Sequence, residues 1–140
     1  MDRVILGATG LNVSTLALGT MTYGDPVDAD TSFNLLDLAV KQGINFLDTA
    51  NTYNAGLSEE IIGQWLKARG RREQLVIASK VRNPVGDDPD SVGLSPRVIL
   101  QQLENSLKRL NTDYLDIYFL HQPDDDTPIE TTWRCLDAIV

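Results

Sequence analysis

The chain has 140 residues, a length that holds one domain with a real core and not two. Against 12 Lys and Arg stand 20 Asp and Glu, a formal charge of -8 that excludes nucleic acid or an anionic membrane surface as the main partner. Cys135 is the only cysteine, no apolar run approaches the roughly 18 residues of a membrane span, and "MDRVILGATG" does not read as a secretory leader, so a reducing, cytoplasmic setting is expected.

In chain order, "VILGATGLNVS" reads as a hairpin of two short alternating runs around Gly7 and Gly10. Gly7-Ala8-Thr9-Gly10 resembles the opening of a dinucleotide-binding glycine loop. That motif needs a further glycine and then a helix, whereas Val13 stands there and "LNVST" alternates like a strand. From Thr15 onward strand-like and helix-like stretches alternate, the pattern of βαβ units. "TLALGTM", residues 15–21, is a strand closed by Gly-Thr. "TSFNLLDLAVKQG" is a helix with Phe33, Leu36, Ala39 and Val40 at helical spacing, Asp30 as N-cap and Gly43 just past its end.

"NFLD" is the second strand, and "SEEIIGQWLKARG" a second helix capped by Ser58, with Glu59 and Glu60 favouring its N-terminal dipole and Gly70 stopping it. "QLVIASK" is a third strand, followed by the long acidic loop "VRNPVGDDPDSVGL", a length that points to function. Ser95-Pro96 opens a third helix with an apolar stripe of Val98, Leu100, Leu103, Leu107 and Leu110. "YLDIYFLH" is the fourth strand. "TPIE", Thr127 to Glu130, is a capping box with proline at N1 and opens a fourth helix that holds Cys135 as a small buried hydrophobe and runs to Val140. Four β/α units behind a leading β-hairpin, ending within the fourth helix, are the expected N-terminal half of a (β/α)8 TIM barrel of about 250 residues.

Three titratable side chains fall at equivalent places: Asp48 ends the second strand, Lys80 the third and His121 the fourth. The period of two puts each on the face of the apolar residues behind it, Phe46 with Asp48, Ala78 with Lys80, Phe119 with His121. If those faces line a barrel, the three meet at its mouth, where (β/α)8 enzymes keep their active sites. Tyr53, five residues past Asp48, reaches the same rim. Each has an ordinary alternative: an Asx turn for Asp48, a strand-end charge for Lys80, a packed aromatic for Tyr53, a hydrogen-bonded structural role for the lone histidine. The coincidence on three consecutive strands speaks for a shared site. A free tyrosine, with a pKa of about 10, exchanges its proton poorly near neutrality, and a nearby ammonium favours the phenolate. Lys80 can supply that charge and Asp48, about 5 Å away by sheet spacing, can hold Lys80 in place. Such a set protonates a carbonyl oxygen, but no side chain delivers a hydride, so a nicotinamide cofactor is implied. No metal is expected: Asp124, Asp125 and Asp126 follow His121 but precede a helix start, where acidic residues are stabilised anyway.

The segments "GLNVSTLALGTMTYG", "GINFLDTANTYNAGLSEEIIG", "VIASKV" and "YLDIYFLHQPDDDTPIETT" together resemble the aldo-keto reductases. The resemblance implies that residues 1–140 are part of an NADP(H)-dependent oxidoreductase domain that reduces aldehydes or ketones to alcohols, with a small-molecule carbonyl as substrate. It implies Tyr53 as general acid, Asp48 and Lys80 as its partners, and His121 as the group that orients the carbonyl. It places Gly19, Thr20 and Met21, with Asp48, beside the nicotinamide ribose, makes "GLSEE" a structural loop, and makes the hairpin a cap on the barrel bottom. In the family, most cofactor contacts, including basic residues for the 2′-phosphate, come from strands and loops beyond this stretch. Their absence leaves two sheet edges open to self-association. Two further readings stand beside the reductase: a half barrel without activity, and a cofactor-sensing regulatory subunit.

Overall fold

The computed structural model describes residues 1–140. Strands β1 (Arg3–Ile5) and β2 (Asn12–Ser14) pair antiparallel, Arg3 opposite Ser14 and Ile5 opposite Asn12. The turn between them takes Gly7 and Gly10 to φ +53° and +77°, which glycine enters without steric cost, so this stretch is a hairpin and not a glycine loop.

Four parallel strands follow, β3 (Ala17–Gly19), β4 (Phe46–Asp48), β5 (Val76–Val81) and β6 (Ile117–Leu120), side by side in chain order. Parallel neighbours need crossovers, and helices α1 (Ala29–Lys41), α2 (Leu57–Arg69) and α3 (Pro96–Leu110) supply them, with α4 (Ile129–Ile139) after β6. This is the order of successive units in a (β/α)8 barrel. The outward side chains Leu47 and Ile77 are fully buried in a core with Leu36, Ile62, Trp65 and Leu110 from the helices. Each such burial contributes about 2 kcal/mol. A second cluster, Val81, Leu94, Ile99 and Cys135, packs with Tyr118 and Leu120. The inward face has no layer over it: Ala17, Gly19 and Phe119 are exposed, and β3 and β6 each pair on one side only. No helix is long and apolar enough to cross a membrane.

At Gly63, α2 lies against α3 so closely that a Cβ would collide with the Arg109 carbonyl. Arg109 thereby reaches Glu59, its Nε donating to Oε2 at 2.7 Å, while Ser79 Oγ on β5 donates to Oε1 at 2.5 Å. Glu59 is wholly buried, and a buried carboxylate costs several kcal/mol unless it is paired and hydrogen-bonded in this way.

Several helix ends and faces differ from expectation, each for a physical reason. Asp28, not Asp30, caps α1, accepting from the Thr31 N–H at 2.8 Å. Ser58 does not cap α2: the chain enters through Gly56 at φ +95°, and Ser58 sits one residue inside the helix with its hydroxyl in the core. Glu59 serves Arg109 more than the helix dipole. The buried face of α3 is Ile99, Gln102, Ser106 and Leu110, while Leu100 is exposed. Both buried polar side chains have partners: Asn51 Nδ2, from a distant loop, donates to Gln102 Oε1 at 3.3 Å, and Arg109 Nη2, one turn on in α3, donates to Ser106 Oγ at 3.3 Å. Thr127 forms no capping box. Pro128 takes the cap position of α4, and the Thr127 side chain bonds Asp124, which with the Leu94 N–H holds that carboxyl below the usual range.

Candidate active site

Asp48 is the last residue of β4, Lys80 the penultimate residue of β5, and His121 follows β6, its N–H donating to Val81 O at 2.9 Å. Gly19 lies opposite Asp48, and Lys80 opposite Phe119. The strand period therefore turns these residues to the inward face while Leu47, Ile77 and Ser79 face the helices.

The Lys80 ammonium is the centre of the group. Its Nζ lies 2.9 Å from both Asp48 carboxylate oxygens, 2.7 Å from Thr49 O and 3.0 Å from Tyr53 Oη. An ammonium has three hydrogens, and these three partners take them all. Tyr53 Oη accepts from Lys80, so its own hydrogen remains free for another acceptor. The His121 ring stands edge-on to Tyr53, centroids 5.9 Å apart at 81°. Desolvation, then the Lys80 charge, hold His121 below the usual imidazole range, with Asp48 opposing, so the ring is neutral at neutral pH. His121 Nδ1 is buried without a hydrogen-bond partner. The structure thus brings Asp48, Lys80, Tyr53 and His121 together, and adds the carbonyl of Thr49, a backbone group that no side-chain pattern signals.

The three remaining candidates divide. Met21 is 63% exposed, and a Cβ on Gly19 would meet nothing within 4 Å, so open space lies beside Asp48. Thr20 is wholly buried instead. Its N–H and hydroxyl both donate to Asp48 O at 3.0 Å, and Ser58 Oγ donates to Thr20 O at 2.8 Å while lying 3.1 Å from Thr49 Oγ1. In this chain the Thr20 side chain supports the end of β4 from behind. A depression of about 940 Å³ around Arg72 and Tyr114 lies at the other end of the strands and holds none of these residues.

The loop that carries Tyr53 is unusual in its backbone. Asn54, Ala55 and Gly56 follow one another at φ +48°, +55° and +95°. Asn and Gly enter this region readily, but Ala55 is held there at a cost of about 1 kcal/mol. Asn54 Nδ2 lies 3.1, 2.8 and 3.0 Å from the carbonyl oxygens of Met21, Tyr23 and Asp25. The one local signal at Asn54 is the residue type itself, since Asn tolerates the left-handed region.

Comparison with known proteins gives one consistent result. The sequence model of the Aldo/keto reductase family matches residues 15–140. An uncharacterized oxidoreductase, YrpG of Bacillus subtilis, is 45% identical over 149 aligned positions, covering all of this chain and 46% of the relative. A probable voltage-gated potassium channel subunit beta of Arabidopsis thaliana is 39% identical, covering 96% of this chain and 42% of the relative. Among solved structures, the aldo-keto reductase AKR11C1 from Bacillus halodurans, in its holo form, superposes with a TM-score of 0.87 at 37% identity over 99% of this chain and 46% of its own. The chain thus spans less than half the length of these relatives, and its fold is half of their barrel.

Proposed function

The chain belongs to the aldo/keto reductase family, and from that premise we propose that residues 1–140 are the N-terminal catalytic part of an NADP(H)-dependent oxidoreductase that reduces aldehydes or ketones to alcohols. The observation that carries this reading is the Lys80 ammonium, 2.9 Å from Asp48 and 3.0 Å from the Tyr53 hydroxyl. When bound, the nicotinamide supplies the hydride. Tyr53 gives its free hydrogen to the carbonyl oxygen as negative charge builds there. Lys80 then faces the charge left on Tyr53, and Asp48 keeps Lys80 aimed. The neutral His121 ring, beside Tyr53, donates to the same oxygen and fixes its direction. Gly19 and Met21 would hold the nicotinamide end, and Thr20 holds Asp48 from behind.

The test is Tyr53→Phe in the protein expressed from its full reading frame, followed by NADPH absorbance with an aromatic aldehyde. A fall of about 10³-fold in kcat is expected for loss of a general acid. Unimpaired reduction without that hydroxyl overturns the assignment.

A second reading, a cofactor-sensing regulatory subunit, is favoured by the 39% identity to a protein named as a channel subunit. Tight retention of NADPH through purification with turnover below one per minute would support it; rapid multiple turnover would exclude it.

A further inference from the structure

Asn54 stands next to the proposed acid and is not explained by it. A primary amide has two hydrogens, yet three backbone carbonyls, of Met21, Tyr23 and Asp25, converge on Asn54 Nδ2 within 3.1 Å. These oxygens accept from no other protein group. Three carbonyl dipoles aimed at one point repel one another, and the amide is what makes their convergence favourable. The segment so gathered, residues 21–25, belongs to the β3–α1 loop and includes the open Met21.

The same two segments touch elsewhere. A Cβ on Gly24, at φ +96°, would strike the Leu57 side chain, and Ser58 Oγ bonds Thr20 O at 2.8 Å. Residues 20–25 therefore lie directly on residues 54–58, and Asn54 is the contact nearest Tyr53. Its left-handed backbone, continued by Ala55 and Gly56, sets the direction in which the Tyr53 loop turns toward α2. Asn is among the few residues that hold that conformation and also carry a donor able to reach the carbonyls.

We propose that Asn54 is a positioning residue: through the three carbonyls of Met21, Tyr23 and Asp25 it locks the β3–α1 loop to the turn that carries Tyr53, so the cofactor side of the site and the proton donor are held as one unit. The catalytic consequence rests on the reading of Tyr53 as general acid. The lock itself does not.

Two variants separate the parts. Asn54→Gly keeps the left-handed backbone and removes the amide. Asn54→Asp keeps shape and backbone tolerance but sets an acceptor against three acceptors. Both are made in the protein expressed from its full reading frame, with the folded fraction measured by circular dichroism. In Asn54→Gly the amides of Gly24 and Val27, which close the β3–α1 loop on Val27 O and Thr22 O, are expected to exchange about tenfold faster with deuterium. With NADPH and an aromatic aldehyde, kcat per folded molecule is expected to fall about tenfold and the NADPH KM to rise severalfold, with the aldehyde KM unchanged; Asn54→Asp shows the larger loss. A merely structural residue lowers the amount of folded enzyme and leaves every KM alone, and that result overturns the proposal. Unchanged exchange in Asn54→Gly overturns it also. If exchange rises but Tyr53→Phe leaves turnover intact, the lock stands and it is the acid assignment that fails.

Discussion

Within β4 and β5, adjacent residues live in opposite surroundings. Leu47, Ile77 and Ser79 face the helices and have no exposed surface, whereas Asp48 and Lys80, one residue away, face inward and remain partly open. The outward face holds the hydrophobic core and the Glu59 ion pair; the inward face holds the Asp48, Lys80, Tyr53 and His121 group. A strand's period of two makes this division automatic. It lets one set of backbones hold the core on one side and the Lys80-centred group on the other, so the two should respond separately to substitution.

The largest expected effect lies on the inward face. Lys80→Met is expected to lower kcat by about 10²-fold, less than Tyr53→Phe, while the urea midpoint stays nearly constant; a midpoint that collapsed with activity would show that the faces are not separable. Next comes the outward face. Ile77→Ala removes a fully buried side chain and should cost about 3 kcal/mol in urea unfolding. Its inward counterpart Phe119, 43% exposed, sharpens the contrast: Phe119→Ser in the 140-residue chain should cost under about 1 kcal/mol, and a cost like that of Ile77 would mean that something covers the inward face.

Smaller effects follow from titration. His121 is the only histidine, so its ring proton signals are unambiguous. Its midpoint should lie below 6.5 and move upward in Lys80→Met, because the Lys80 charge is one of the two causes that lower it. With the folded value below the unfolded one, the folded chain binds this proton less readily, so the associated stability is present above about pH 6.5 and is lost as pH falls toward the folded midpoint. The smallest effect is expected at Asp37, which Arg69 and the Trp65 N–H hold at about 2. Its stabilisation is complete above the unfolded value of about 3.9 and disappears as pH falls toward 2. Asp37→Asn should remove that slope in thermal melts, and little more, since the pair is largely exposed and screened by solvent.

The inward group was legible in the sequence because its signal is local: a titratable residue at a strand end, in phase with apolar residues two and four positions back. Asp48, Lys80 and His121 all carry that signal, and Tyr53 follows from proximity. The outward polar contacts were not legible. Ser58 and Glu59 look like a helix start, and nothing near them in sequence shows that their partners are Thr20 and Arg109, 38 and 50 residues away. Gln102 breaks the apolar stripe of α3 for the same reason, its partner Asn51 lying 51 residues away. Asp28 and Asp30 compete for one cap, and only the turn that delivers the chain to α1 decides between them.

Gly63 has a consequence of another kind. One absent carbon sets the distance between α2 and α3, and that distance decides whether the Arg109 guanidinium spans the gap to Glu59. A methyl group added at Gly63 would leave no hole and remove no donor. It would act as a wedge, and its damage would appear elsewhere, as a sealed-in negative charge drawn away from its cation on the far side of the strand that holds Lys80.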